Sequence, residues 1–471
     1  MFPLLKTKKV KTKPNITMKR SNTMSKTSKS CFRFLYGIPI VFLLFVLTSC
    51  SKDSNPVDSG KSNAKVAGKV TGDSGLYKSL QKSSGVESSQ GISGATVILA
   101  QVQADGSLKT VSTQSAQTDV NGNFTVETNL SGAQNLVVVA TKSTSQWKAV
   151  VYSQVSSNTT VNCQPVNTQT SAHADVYSQI VVSGQANTVS SADLQLYLNS
   201  SVAAQISSST TAKSQFASCL TTESQVRTQA SSNAYFGISS SQWTAIENAK
   251  AQALISFQTS LYNHADSQSS ASQDFQTYQR AFISAYTNAN VKLETYAKLL
   301  RVSSRAYVNQ SAQMSSSASF AASQSIYAYS ALVLRAATES KFQAAGAAST
   351  QINTVSNAGV TLSTSISNAT SMSQISDAYV QYHNTLVAQL KIVLSAYASL
   401  IDSIDVSING TTGAKAALNA ALTGTVSTSQ YITAYTSFYS ALATAVQTTL
   451  TGATNAQVND AAEILILANM N

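Results

Sequence analysis

The side chains most able to do catalytic chemistry are sparse in this 471-residue sequence. Its three histidines, His173, His264 and His383, are far apart and stand at no metal-ligand spacing. The sequence contains no HExxH, GxSxG or phosphate-binding glycine loop, the motifs that mark common hydrolase and nucleotide sites. Asp402 and Asp405 lie one helical turn apart, where like charges repel. We therefore predict no catalytic residue, no metal site and no cofactor, and we interpret the histidines as surface or helix-boundary residues.

One thiol has a specific chemical context. Cys50 ends the run Leu47-Thr48-Ser49-Cys50, which closes an apolar stretch that begins at Phe34 and follows a strongly basic segment. This pattern resembles the lipobox of bacterial lipoproteins. The resemblance implies that a diacylglyceryl group is attached to the Cys50 thiol and that a peptidase cuts just before it. The chain would then meet a membrane through the lipid on Cys50.

Residues 1–49 have the basic start, apolar middle and small-residue cut site of a secretory signal. The apolar middle is shorter than the roughly 20 residues that a membrane-spanning helix needs. We predict that this segment is a removed signal peptide and that the protein is exported, with Met1, Met18 or Met24 as the start. By resemblance to lipoprotein sorting rules, Ser51 favours the outer membrane. The sequence leaves periplasmic and surface-facing orientations open.

The basic charge of the chain belongs mostly to this segment. Ten of the 31 basic residues and none of the 20 acidic residues precede Cys50, so the formal net charge falls from +11 to +1 after cleavage. Nucleic-acid binding requires a basic surface that neutralises phosphates. The mature composition therefore predicts no nucleic-acid partner.

The remaining cysteines allow two interpretations. Cys31 is lost with the signal segment and Cys50 carries lipid, which leaves Cys163 and Cys219. An exported protein can oxidise such a pair, but bridging requires Cα atoms within about 7 Å. The sequence predicts either a disulfide or two separate buried thiols.

The first part of the mature chain is expected to be a tether followed by a β-sandwich. Residues 50–64 are small and polar, which is typical of a flexible linker. Residues 65–165 contain short β-rich runs separated by turn residues, which favours an all-β sandwich of about seven strands. The predicted strands span 65–70, 95–103, 109–118, 123–128, 136–141, 147–155 and 159–163.

Three stretches of this region, 68–71 (GKVT), 94–97 (GATV) and 118–124 (TDVNGNF), are similar to the carboxypeptidase regulatory-like domain. The resemblance implies a transthyretin-like sandwich that acts as a non-catalytic spacer or interaction module. The third stretch also has a physical interpretation. Asp119 and Asn121 suit a tight turn, Gly122 supplies a positive φ, and Phe124 returns to the core.

Residues 166–471 are predicted to form a large all-α helical bundle. No proline follows Pro165, and apolar residues recur at steps of three and four. Segments 371–394 and 427–450 match at a constant offset of 56 residues, which indicates an internal repeat. The fold class is thus multidomain, with an N-terminal sandwich and a C-terminal helical domain rich in Ser, Ala, Thr and Gln.

Aromatic residues are the remaining candidates for binding. Most tyrosines follow the last proline, and helical spacing beside Leu and Val favours core positions for most of them. A few ring faces could meet a ligand, and we select Trp243, Tyr431 and Tyr439 as possible ligand-facing aromatics.

These observations give three functional hypotheses. The leading one is a lipid-anchored cell-envelope protein with a non-enzymatic structural or protein-interaction role. An alternative is a carbohydrate-binding envelope lipoprotein that uses exposed tyrosine and tryptophan side chains against a polysaccharide. A third is a hydrolase with an unrecognised site.

Overall fold

The computed structural model describes residues 63–72, 91–132 and 135–470. The lipobox, the signal segment and the tether up to residue 62 lie outside the described residues. The first part of the described chain consists of strands, with the following bounds: β1 Ala64–Gly72, β2 Thr96–Val102, β3 Leu108–Thr110, β4 Ala116–Gln117, β5 Asn123–Thr128, β6 Leu136–Lys142, β7 Ser145–Val151, β8 Thr160–Asn162 and β9 Val166–Asn167.

These strands form one curled, mixed sheet in the order β3-β2-β6-β7-β9-β1-β5, with β4 beside β2 and β8 beside β1. Most neighbours are antiparallel, while β1 runs parallel to β8 and β9. The curl brings Val66 and Val126 of one half into a shared core with Leu99 and Val138 of the other half. The predicted strand region is confirmed, except that the predicted strand 109–118 is divided into β3 and β4.

The turn before β5 has the predicted chemistry. The Asp119 carboxylate accepts hydrogen bonds from the backbone N–H groups of Asn121 and Asn123, and Gly122 has a φ of +80°. Phe124 is buried against β1, where a Cβ on Gly68 would lie 2.5 Å from its ring. Glycine is required at position 68 because any side chain would collide with this ring.

The rest of the described chain is helical. The helices are α1 Thr168–Val182, α2 Ser191–Tyr197, α3 Ser200–Ile206, α4 Thr210–Ser231, α5 Ser240–Asn263, α6 Gln268–Asn288, α7 Leu293–Ser311, α8 Ser316–Ala344, α9 Ser349–Asn368, α10 Met372–Val393, α11 Ala398–Asn409, α12 Ala414–Ala421, α13 Thr428–Thr449 and α14 Asn455–Ala468, with a 3₁₀ turn at Ser395–Tyr397. The predicted fold class of a sheet followed by a helical region is confirmed.

Helix α1 joins the sheet to the other helices, so both parts belong to one compact unit. Ala174 packs against the outer face of β2, β6 and β7. Asp175 forms ion pairs with Lys148 of β7 at 2.8 Å and with Lys213 of α4 at 2.7 Å. A helix that buries one face on a sheet and another on helices cannot act as a free linker between them.

Helices α10 and α13 correspond closely. Each has 22 residues, and their bounds differ by 56. Ser371 and Ser427 cap them by accepting a hydrogen bond from the backbone of Gln374 and Gln430, respectively. Buried positions such as Tyr379 and Tyr435 also correspond. Helix α11 follows α10 at nearly the same distance along the chain as α14 follows α13, so α11 and α14 occupy equivalent positions after the repeated helices.

No single helix within the described ranges is both long and apolar enough to cross a membrane. Helix α10 passes this test only when taken together with Ser395–Ala421, and the two parts are bent by 110°.

Candidate functional site

The aromatic residues predicted to face a ligand are mainly internal. Tyr439 is fully buried and donates its hydroxyl to the Lys298 carbonyl at 3.3 Å. Tyr431 is 4% exposed and accepts a hydrogen bond from Asn309 Nδ2 at 2.7 Å. Trp243 is half-buried, with the Arg227 guanidinium 5.7 Å from its ring centre. The prediction is wrong for both tyrosines, because the apolar stripe of α13 carries them into the core.

The two cysteines are separate thiols. Cys163 belongs to the sheet core and Cys219 to the helical core, and both are free. Burial raises the pKa of each thiol to about 12. The disulfide interpretation is therefore corrected in favour of two inert buried thiols, because the two residues face different cores.

Two histidines contact carboxylates. His264 Nδ1 lies 2.7 Å from Asp274 at the exposed end of α5. The buried His383 faces the Ala468 carbonyl through Nδ1 at 3.1 Å and Asp405 through Nε2 at 3.2 Å. Each ring nitrogen of His383 therefore lies within hydrogen-bond distance of an oxygen acceptor, one on the α14 backbone and one on α11.

His173 is buried between helices rather than on the surface. Its Nε2 lies 2.7 Å from the Leu198 carbonyl, while its Nδ1 is buried and has no hydrogen-bond partner among the residues described. Burial lowers its pKa to about 4, so the ring is neutral at pH 7. The prediction of surface or helix-boundary histidines is therefore wrong for His173 and His383, whose helices bury those faces.

No group of three or more His, Cys, Asp or Glu side chains that could hold a metal occurs among the described residues. Two clusters of the helical region contain buried charged side chains, and they differ in whether their arginines are paired with carboxylates.

The first cluster, called the Arg227 network, joins α2, α4 and α5. Arg227 contacts Asp193, Glu223 at 2.9 Å and Glu247 at 3.4 Å. Lys250 contacts Asp193 at 2.9 Å and Glu247 at 3.0 Å. Each buried cation therefore has at least two carboxylate partners, which is the arrangement that makes charge burial tolerable.

The electrostatics of the Arg227 network follow from this pairing. Burial alone would raise the pKa of Asp193, but Arg227 and Lys250 outweigh it and lower this pKa to about 2. Burial raises the pKa of Glu223 despite the opposing attraction of Arg227. The ion pairs of the network connect α2, α4 and α5 inside the protein. Because the paired residues are far apart in the chain, the sequence does not show which of them pair.

The second cluster, called the Arg301 seam, lies where α7 packs against α13. It comprises Arg301, Arg305, Tyr327, Tyr379, Lys415, Tyr431 and Tyr435. Arg301 is 6% exposed and lies 5.9 Å from the ring centre of Tyr327. The positive charge of Arg301 interacts electrostatically with the hydroxyl groups of Tyr435, Tyr327 and Tyr379. Unlike Arg227, Arg301 forms no ion pair with any residue that the structure describes.

Successive turns of α7 build the seam. Arg305 follows Arg301 by one turn and acts electrostatically on Tyr431 and Tyr435. Asn309 follows by another turn and holds the Tyr431 hydroxyl. Residues four apart lie on one helix face. The spacing was visible in the sequence, but nothing there indicated that this face would be buried.

Lys415 of α12 is the third basic residue of the seam, after Arg301 and Arg305. Burial and the nearby Arg301 lower its pKa, while Asp405 acts in the opposite direction. Tyr379 and Tyr435, which occupy equivalent positions in α10 and α13, both lie near the Arg301 guanidinium. The paired helices thus contribute the same residue to one cationic centre.

Beside the seam, α12 and α13 form an open groove of about 540 Å³. Its walls are mostly apolar and include Ala417, Leu418, Ala434 and Phe438. This groove supplies apolar surface, whereas the seam supplies concentrated charge and hydrogen-bond donors. The seam is the stronger candidate for specific recognition.

We expect Arg227→Met to destabilise the protein by about 3–5 kcal/mol, because Asp193 and Glu223 would remain buried without their main cation. Lys391→Met is the matched control, since its ion pair with Asp402 at 2.7 Å is largely exposed and should contribute less than about 1 kcal/mol. Denaturant unfolding of both variants measures this difference. Equal losses would contradict the assigned role of the network.

We expect His173 to make the protein acid-sensitive. Because its pKa is about 4 when folded and about 6.5 when unfolded, the unfolded state binds the proton first. Its stabilising contribution is complete above pH 6.5 and is lost as the pH falls towards 4, by roughly 3 kcal/mol. Unfolding between pH 4 and 7 should show this slope in the wild type and a smaller slope in His173→Gln. An unchanged slope in the variant would refute it.

The chain matches no protein-family model, no curated protein and no solved structure. The candidate site is therefore assigned from its own residues and contacts.

Proposed function

We propose that this protein is a lipid-anchored component of the bacterial cell envelope whose helical region is a non-enzymatic binding module. The observation that carries the binding role is the Arg301 seam, where Arg301 and Arg305 each have a buried N–H donor without a hydrogen-bond partner among the described residues. A purely structural cluster would be expected to pair each buried cation with carboxylates, as the Arg227 network does. Buried donors without partners require an explanation, and a bound ligand supplies one here.

The anchor rests on the lipobox resemblance at residues 47–50. The start of β1 at Ala64 lies 14 positions after Cys50, and a chain of that length reaches at most about 50 Å. In this proposal the sheet, through its resemblance to the carboxypeptidase regulatory-like domain, serves as a spacer that is packed firmly against the binding region. Outer-membrane attachment is part of the same proposal.

A protein or polysaccharide of the envelope remains the partner class. The carbohydrate alternative is less well supported, because it requires exposed aromatic rings and the rings of Tyr431 and Tyr439 are buried. The positive seam instead favours a partner that presents an acidic group, whichever of the two classes carries it.

We expect Cys50→Ala to move the protein from the membrane fraction to the soluble fraction, because the acyl chains on Cys50 are the proposed attachment. Cys31→Ala is the matched control, since this cysteine lies in the same segment but outside the lipobox. Fractionation of cells that express each variant, followed by immunodetection, measures the distribution. Retention of Cys50→Ala in the membrane would disprove the anchor.

Chemical cross-linking in intact cells should trap one neighbour of constant mass with the wild-type protein. Arg305→Met should reduce that adduct strongly, because it removes a donor of the seam that is only partly buried. Arg280→Met should keep the adduct, since it removes the same charge from an exposed position elsewhere. Recovery of the monomer alone in every condition would count against a binding role.

A further inference from the structure

The Arg301 seam contains hydrogen-bond donors that the described residues do not satisfy. Arg301 Nη1 and Arg305 Nε are both buried and have no hydrogen-bond partner in the part of the chain that the structure describes. Each arginine carries five N–H donors and remains charged at any physiological pH. Buried donors without partners are rare in folded proteins and cost free energy comparable to a lost hydrogen bond.

The tyrosines of the seam cannot balance this charge. Burial raises the pKa of Tyr379 and of Tyr435, so their hydroxyls stay neutral at physiological pH. The Tyr327 ring supplies a cation–π contact to Arg301, which is weaker than an ion pair. Tyr431 accepts its hydrogen bond from Asn309, so its own hydroxyl hydrogen can be donated elsewhere.

Arg301 and Arg305 therefore present donors and positive charge, and among the described residues these two arginines lack a negatively charged acceptor. The same protein shows the alternative in the Arg227 network, where a buried arginine has three carboxylates. Both clusters lie between packed helices, so burial alone does not account for the difference. A missing oxyanion accounts for the unpartnered donors and for the excess charge together.

We propose that the Arg301 seam binds an oxyanionic group, a carboxylate or a phosphate, which bridges Arg301 and Arg305. The inference rests on the proposed binding function and names the chemistry that this site recognises. Planar guanidinium groups match the paired oxygens of both anions. Arg305 and Lys415 are only partly buried, so the charged end of a ligand enters the seam while the remainder stays outside.

The test uses the full mature protein with Cys50→Ala, so that it can be handled without detergent. Thermal unfolding is measured in chloride, phosphate and acetate at equal ionic strength, and calorimetry measures binding of the same anions. A saturating ligand should raise the Tm by roughly 2–4 °C. A rise with phosphate alone identifies a phosphate site, a rise with acetate alone a carboxylate site, and a rise with both a general oxyanion site. Equal Tm values in all three salts overturn the proposal.

Variants separate binding from folding. Arg305→Met should abolish the anion-dependent rise in Tm, and Arg280→Met should retain it. Arg301→Met should raise the Tm in chloride, because it removes a buried unpaired charge, and should also abolish the response to anions. Two results together would refute the site. They are a lower Tm in chloride for Arg301→Met than for the wild type, and an anion-dependent rise in Tm for Arg305→Met that equals the wild-type rise.

Failure of this inference is distinguishable from failure of the proposed function. If anions do not bind while the cross-linked neighbour still depends on Arg305, the protein is a binding module whose ligand contacts the seam in another way. The opposite result is that anions bind while no neighbour is trapped and the protein is not attached to the membrane. That result supports the anion site and contradicts the proposed envelope function.

Discussion

The helical region depends on the balance of buried charge. Only 25 of its 306 residues are charged, yet several of them lie inside rather than on the surface. Arg227 holds carboxylates from α2, α4 and α5 in one network, and Lys250 closes it. Since the cost of burying a charge is recovered only through well-placed partners, this network constrains the relative positions of three helices.

Arg301 in the seam is buried without such a carboxylate partner among the described residues, and the proposed binding function rests on this difference. The seam uses the same residue type in a similar environment, but tyrosine hydroxyls from α8, α10 and α13 replace the carboxylates. In the function proposed above, this arrangement keeps positive charge available for a ligand at the expense of stability. Helices α10 and α13 place equivalent tyrosines at this centre, so an internal repeat would build a site that neither copy forms alone.

Local sequence patterns predicted much of the fold. The strand region, the Asp119 turn and the beginning of the helical region after Pro165 follow from alternation, turn chemistry and the absence of proline, which act within a few residues. The caps at Ser371 and Ser427 also reflect local hydrogen bonding. The expected strand at 109–118 divides into two short strands because pairing with β2 is interrupted, and pairing is not a local property.

The candidate site was less accessible from the sequence. Tyr431 and Tyr439 share the helical spacing of core residues, and spacing alone does not show whether a stripe meets solvent or a second helix. Cys163 and Cys219 could be counted, but only the fold separates them into two cores. Likewise, the step of four between Arg301 and Arg305 indicates a shared face, without showing that no acidic side chain reaches it.

The sequence by itself determined the strand and helix regions of the described chain and its local turns and caps, because these depend on residues close together in the chain. Tertiary structure alone decided which charges are paired, which tyrosines are buried, and that α1 joins the sheet and helices in one unit. Electrostatic balance in a core depends on groups brought together from distant segments, such as Arg301, Lys415 and Tyr435. Their meeting is a property of the packed helices and not of any single stretch of residues.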